Sequence, residues 1–308
     1  MKKSLYLLLA AATCFCLNLN AQVDTQDTGA MDIEPSAAAL AGEPFKLDLN
    51  GDYVSNARVK NCPHMGNVVF ATGSAELNFI YYYDLCYKEG AAVAFVYQQT
   101  YLNYSKNPFF NQKNFDTATL LFSTFTERLD DWQWRAQVAI NFDDLPYWNF
   151  SDYMNYDILA WGRYAFYENL GLHIGFWVQT GMEFDRVYPI IGIDWKCGDW
   201  AINAVFPVDL SVVYTINDEW NIALAGRFID QRHRAKRDEP VREAFWHYQS
   251  GGAELALNYN PIPTVSINVH GGYSFGGHLT ICNQHYHRLS RLKLGDAPYG
   301  GAEIAVHF

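Results

Sequence analysis

The sequence predicts an all-β protein, an antiparallel, transmembrane, up-and-down β-barrel of about twelve to fourteen strands. Three observations lead there. From Phe45 onward, apolar and polar residues alternate in run after run, the period-two signature of strands with two unlike faces. Short turns alternate with long loops, the rhythm of a barrel whose two rims face different compartments. Aromatic residues are abundant, with 21 Tyr, 20 Phe and 9 Trp in 308 residues. An apolar barrel exterior flanked by aromatic girdles uses such residues, and an ordinary soluble domain has less need of them.

The chain divides into three parts. Residues 1–21 read as a secretory signal peptide, with Lys2 and Lys3 as the basic start, an apolar stretch from Leu5 to Leu17 and Ala21 as the cleavage residue. That stretch is shorter than the ~20 apolar residues of a spanning helix. Residues 22–43 are rich in Asp, Ala, Gly and Ser without periodicity, and read as a flexible lead-in. Residues 44–308 are the barrel. With Lys2 and Lys3 removed, 20 basic and 33 acidic residues leave a formal charge of −13, which argues against a nucleic-acid partner.

The strands follow in order. Phe45, Leu47, Leu49 and Tyr53 alternate with Lys46, Asp48, Asn50 and Asp52; Leu77 to Leu85 forms a second run, Val93 to Tyr97 a third, and Leu120 and Phe122 belong to a fourth. The fifth is the cleanest: Trp132, Trp134, Ala136, Val138, Ile140 and Phe142 against Gln133, Arg135, Gln137 and Asn141. Further strands are expected near 153–167, 172–182, 188–196, 199–206, 208–216, 220–230, 243–259 and 264–275, then the terminal one. Twelve is the alternative count, because the segments from Tyr188 to Ile216 are short.

The last strand, Gly301 to Phe308, puts Ala302, Ile304, Val306 and Phe308 on one parity and Glu303, Ala305 and His307 on the other. A C-terminal Phe on such a strand resembles the terminal signal of bacterial outer-membrane β-barrels. That resemblance implies pairing with the strand that starts near Phe45 and recognition by barrel-insertion machinery. Short turns are expected at 88–90, 129–131, 168–171, 196–199, 217–219 and 260–263, and long external loops near 57–72, 104–116, 143–151, 231–242 and 276–296. Phe206-Pro207 is a tight link where the rhythm calls for an external one. Trp132, Trp195, Trp200 and Trp220 stand beside short turns, where a periplasmic-side girdle belongs.

Charge placement tests the same arrangement. A basic side chain on the lipid face at mid-membrane costs roughly 2–4 kcal/mol. Arg135, Arg163, Arg227 and Glu254 all fall on the polar parity of their strands, while Asp230 breaks parity at the predicted outer end. A soluble β-sandwich also alternates, and remains the rival architecture at this point.

The stretch Tyr188-Pro189-Ile190-Ile191-Gly192-Ile193-Asp194-Trp195, followed by Ile202-Asn203-Ala204-Val205-Phe206-Pro207 and Val213-Tyr214, resembles a bacterial family known as domain of unknown function 6268. The resemblance is strongest over roughly 186–230. It implies an outer-membrane barrel and brings no catalytic residues with it.

Chemistry is sparse. A barrel-embedded lipid hydrolase needs a hydroxyl beside its base, and no His-x-Ser occurs. The nearest arrangement is Ser266, Asn268, His270 and Ser274 on one parity with Glu254 on the preceding strand. His270 and Ser274 stand ~13 Å apart along an extended strand, too far for a direct hydrogen bond. The expectation is therefore that the protein is not an enzyme and carries no cofactor. His278, Cys282, His285 and His287 are weak metal-ligand candidates whose spacing matches no standard site. Cys62 and Cys282 fall in the first and last external loops, which closure brings together, so a disulfide between them is expected. Arg232, Arg234, Lys236 and Arg237 form a basic run expected in an external loop. It is either a solvated charge run or a surface for lipopolysaccharide phosphates, with Arg288, Arg291 and Lys293 adding charge nearby.

The leading expectation is a passive, porin-like channel lined by Gln133, Arg135, Gln137, Asn141, Arg163, Arg227, Glu254 and Asn268. The alternative is a structural or surface-interaction barrel with a plugged lumen, for which Tyr82, Leu159, Trp161 and Trp177 are the inward-parity fillers. Either places the protein in the bacterial outer membrane, with lipid and lipopolysaccharide as neighbours. Parity has nothing to say about oligomeric state.

Overall fold

The computed structural model describes residues 45–84, 88–129, 131–143, 153–181 and 185–308. The expected leader and the lead-in lie outside the described residues. The strands are β1 (Phe45–Arg58), β2 (Asn67–Asp84), β3 (Glu89–Tyr104), β4 (Asn114–Leu129), β5 (Trp132–Asp143), β6 (Met154–Tyr167), β7 (Leu170–Gly181) and β8 (Arg186–Cys197). They continue as β9 (Trp200–Phe206), β10 (Asp209–Thr215), β11 (Trp220–Arg234), β12 (Phe245–Ile262), β13 (Val265–Cys282), β14 (Arg288–Leu294) and β15 (Ala297–His307). One short 3-10 turn, Pro63–Met65, lies between β1 and β2.

Each strand from β1 to β13 pairs antiparallel with the next, and β15 pairs with both β13 and β1, so the sheet closes on itself. β14 pairs with the outer half of β13 and β15 with its inner half. β14 also reaches β1, with the Lys60 N–H donating to the Lys293 carbonyl at 2.7 Å and the Gly295 N–H to the Arg58 carbonyl at 2.7 Å. β14 and β15 are thus one broken stave, and the wall has fourteen staves.

The closing seam lies where the terminal parity places it. Lys46 to Val54 pair residue by residue with His307 to Tyr299. Phe45 and Phe308 exchange both backbone hydrogen bonds, at 3.0 and 2.9 Å, and their rings stack with centroids 5.7 Å apart. Closure at this seam pairs the first and last strands, whose free edges hydrocarbon would not tolerate.

Outward-pointing positions carry large exposed apolar side chains on stave after stave, among them Phe95, Phe122, Ile174, Leu224, Leu255 and Val269. A sandwich would turn those residues toward a shared core and show polar groups outside. Here the alternation is inverted, and the protein is a transmembrane β-barrel. The rim tryptophans pair with neighbouring rings: Trp132 with Trp134 at 5.2 Å, Trp200 with Tyr214 at 4.8 Å, and Trp220 with Tyr259 at 4.2 Å.

Three expectations are corrected. β11 runs to Arg234, so the first part of the basic run is strand rather than loop. The expected loop 276–296 is largely strand, because β13 extends to Cys282 and β14 folds back along it. Tyr82 is not a lumen filler. A register shift between Ile80 and Tyr82 breaks the alternation, and Tyr82 is exposed.

Candidate functional site: the lumen and its mouth

Parity fixes which side chains enter the lumen, and closure decides which of them meet. On β5, Gln133, Arg135, Gln137 and Asn141 are half-buried and stand beside inward residues of β4 and β6. With its amide oxygen turned toward Arg135, Gln137 accepts from that guanidinium at 2.6 and 3.1 Å. Asn141 donates to Asp157 and Asn155 at 2.6 and 2.9 Å.

A second group lies on β6, β7 and β8. Arg163 grips Asp194 with two parallel hydrogen bonds, Nε to Oδ1 at 2.7 Å and Nη2 to Oδ2 at 2.8 Å. Trp161 Nε1–H donates to His173 Nδ1 at 3.0 Å, so the ring's other nitrogen carries the proton and donates to Asp194 at 2.6 Å. Gly175 makes room for this: a Cβ there would meet the Ala160 carbonyl at 2.3 Å and the Trp161 backbone at 2.8 Å.

A third group ties β11 to β1 through β12, β13 and β15. Arg227 bonds Asp52 on β1 and Glu254 on β12, the latter at 2.9 Å, and Tyr299 donates to Glu254 at 2.9 Å. His270 sits between Asp52 at 2.6 Å and Asn268 at 2.7 Å, and Asn268 and Asn258 continue the ladder to Asn221. The eight lumen residues do not all meet: Gln133, Arg135, Gln137 and Asn141 bond locally around β5, Arg163 belongs to a second network, and Arg227, Glu254 and Asn268 to a third. Asp52, His173, Asp194 and His270 complete these networks and were not among the eight. Asp52 sits on the polar parity of its strand, which was the signal that could have found it.

The outer half of the lumen is filled. His233 on β11 contacts Asp143 on β5 through Nδ1 at 2.7 Å and Thr100 on β3 through Nε2 at 3.0 Å. Gln98 on β3 donates to Gln231 on β11 at 3.0 Å. β3 and β5 each stand six staves from β11 around the ring of fourteen. At ~4.8 Å per strand and ~40° tilt such a barrel is roughly 28 Å across, far more than two side chains and one hydrogen bond can bridge. The outer halves of β11 and β12 must therefore lean across the lumen to the opposite wall.

Burial agrees. Phe245, Trp246, His247 and Tyr248 are four consecutive buried residues, so both faces of β12 are covered there. Trp246 packs on Phe115 and His233, and Tyr248 stacks on Phe70 with centroids 4.2 Å apart. Together with Leu102, Phe110, Leu279 and Leu292 they form the largest apolar cluster among the described residues, at the outer end. The loop between β3 and β4 seals the arrangement: Glu239 accepts from the backbone N–H groups of Asn111 and Gln112, and the Val241 N–H donates to the Phe109 carbonyl. Nothing local in the sequence signals this plug, since its contacts join residues about a hundred positions apart.

The remaining expected sites fare differently. Arg232 and Arg234 are drawn inward: Arg232 faces Asp157 at 3.8 Å, and Arg234 lies over the rings of Tyr153 and Tyr286. Lys236 is half-buried and Arg237, still exposed, pairs with Glu243, so the run divides between the lumen and the surface. The exposed basic stripe is instead on β14, where Arg288, Arg291 and Lys293 point outward while Leu292 and Leu294 are buried. Cys62 and Cys282 are both free thiols, so the disulfide expected between them is not formed. Cys282 packs with Phe245 and Tyr286, and Cys62 borders the large outer cluster instead. Among the described residues no group of three or more His, Cys, Asp or Glu is placed to hold a metal, the His278–His287 cluster included. Ser274 pairs with Ser250 at 2.6 Å, and His270 faces Asp52 and Asn268, so the two are engaged in separate contacts.

No family model matches the chain, and the resemblance to domain of unknown function 6268 gains no support from one. Sequence relatives include uncharacterized proteins of Chlamydia trachomatis serovar D, 26% identical over 204 residues, and of Chlamydia muridarum, 24% identical over 202 residues. Each match covers 65% of this chain and 63% of the relative, so the chain spans less than two thirds of these relatives' length. Similar solved structures include the NanC porin, with 9% identity, a TM-score of 0.40, and coverage of 85% of this chain and 100% of that one. Another is the TodX monoaromatic hydrocarbon channel, with 9% identity, a TM-score of 0.42, and coverage of 91% and 95%. At that distance these likenesses say nothing about cargo.

Proposed function

We propose that this chain is an outer-membrane β-barrel that rests closed, a structural or surface-interaction barrel plugged by its own β11–β12 hairpin, rather than a freely open porin. The observation that carries the reading is the reach of His233 from β11 to both Asp143 and Thr100 on the far wall. An open pore of fourteen strands would keep those groups a lumen's width apart. The apolar exterior and aromatic rims suit a bilayer, and a closed antiparallel barrel is the bacterial outer-membrane solution to crossing one. The exposed Arg288, Arg291 and Lys293 on β14 are the residues best placed to meet lipopolysaccharide phosphates.

The half-buried Arg135, Gln133 and Gln137 supply the second reading, a conductive path that exists once the hairpin moves. The test is planar-bilayer recording from the refolded chain. The closed reading expects a heat-modifiable, detergent-requiring protein that gives no steady conductance. Sustained ohmic steps from that same protein would refute it.

A further inference from the structure

The wall is not equally tall all round. β9 and β10 have seven residues each, whereas a transmembrane strand needs about 9–11. At ~3.3 Å per residue and ~40° tilt, seven residues climb ~15 Å, well short of an apolar band ~25 Å tall. β9 starts at the tryptophan rim with Trp200, turns at Pro207 and Val208, and β10 returns to the rim at Thr215, near Trp220. The turn therefore lies inside the hydrocarbon.

Above that turn both neighbouring strands lose a partner. β8 pairs with β9 only from Ile191 onward, and β11 pairs with β10 only up to Gly226. Among the described residues, the ladder partners of Arg186 to Ile190 are on β7 and those of Arg227 to Arg234 on β12. The bend that plugs the mouth draws β11 inward after Phe228, its last exposed apolar side chain, so that Arg186 and Tyr188 of β8 reach its Asp230. An open edge at this depth is costly unless something covers it.

What borders the gap has two characters. Its outer lip is apolar and exposed: Val187, Ile191, Phe206, Leu210 and Phe228. Behind it, inside the lumen, lies a separate apolar cluster of Leu159, Trp161, Trp177, Ile190, Val205 and Val208. Between lip and cluster runs a polar latch. Arg186 donates to Tyr188 at 2.9 Å and reaches Asp230 at 3.5 Å, and Tyr188 lies over Trp177 at 5.2 Å. Asp230 is also held by His247, by Gln249 at 3.0 Å and by Tyr188 at 3.4 Å, and its contact to Arg186 is the longest of these. The Arg186 side chain is 31% exposed, against 2% for Asp230.

We propose that this low wall is a lateral portal, through which a single-chain amphiphile with a carboxylate head enters from the surrounding lipid. The proposal rests on the reading of the chain as a membrane barrel. The head displaces Asp230 at Arg186, whose guanidinium suits a carboxylate, and the tail lies against Trp177, Ile190 and Val208. A two-chain phospholipid is too broad for a gap of about three strand spacings, roughly 14 Å between backbones before side chains are counted.

The test is photolabelling of the refolded barrel in phosphatidylcholine vesicles with a diazirine analogue of palmitate, with a diazirine phosphatidylcholine as the second probe. The palmitate probe is expected to label inward residues of the cluster, saturably and in competition with plain palmitate. Labelling should fall at least about tenfold in Arg186→Gln and persist in Arg186→Lys. The phosphatidylcholine probe should label only the outer lip. Labelling of the lip alone by both probes, equal inward labelling by the two-chain probe, or no change in Arg186→Gln overturns the portal. Heat-modifiable migration of every variant, read on the same samples, separates loss of the portal from loss of the barrel. A chain that stays soluble without detergent defeats the membrane reading itself.

Discussion

His233→Ala is the sharpest probe of the plug. The ring is 1% exposed, its two nitrogens meet Asp143 at 2.7 Å and Thr100 at 3.0 Å, and its face packs on Trp246 at 4.7 Å and Phe115 at 5.5 Å. Without it, the buried Asp143 carboxylate keeps the Arg234 N–H and a 3.3 Å contact from Thr117. Breaking a buried pair on one side costs about 3–5 kcal/mol, because the remaining group stays desolvated. That cost falls on the docked hairpin alone, since undocking lets water reach Asp143. Taking about 3 kcal/mol and 1.4 kcal/mol per decade, the closed-to-open ratio should fall roughly 150-fold. Single-barrel recording in a planar bilayer reads this as open events absent from the parent. Thr100→Val, which loses one neutral hydrogen bond worth about 1 kcal/mol, should shift the ratio only about fivefold. A His233→Ala barrel that folds, shows normal heat modifiability and stays as silent as the parent would refute the assignment of the hairpin as the gate.

Other expectations follow from the same contacts. Arg227→Met leaves Asp52 and Glu254 without their shared cation, and should lower stability to urea by about 3–5 kcal/mol, with Arg227→Met/Asp52→Asn recovering part of the loss. Trp246→Ala removes a fully buried ring from the outer cluster and should cost about 3–5 kcal/mol in the same titration. Maleimide labelling of the folded barrel should modify half-buried Cys62 before buried Cys282; mapping without reductant should find both unpaired. Phe308→Ala loses its stacking on Phe45, worth about 1 kcal/mol, and should slow barrel closure as followed by the heat-modifiable band.

Period-two alternation made the staves legible, because the direction of a strand side chain is set by its own backbone and by little else. The count of staves, the seam between Phe45 and Phe308, the rim tryptophans and the inward face of β5 all follow from that local rule. It failed at Tyr82, where a single bulge reverses parity, and at Asp230, whose apparent breach of parity marks the place where β11 leaves the wall. The basic run read as a loop because charge suggests solvent, yet a strand buried on both faces can hold Arg232 and Arg234 against Asp157 and two tyrosine rings.

The sequence by itself determined the class of object: a barrel with an apolar outside, polar groups within and a terminal strand that closes it. Only the tertiary structure decided that the lumen is shut and that the wall is low at β9 and β10. Both depend on what closure brings together. His233 lies 90 positions from Asp143 and 133 from Thr100, and no period, turn or composition encodes a contact across the diameter of a ring.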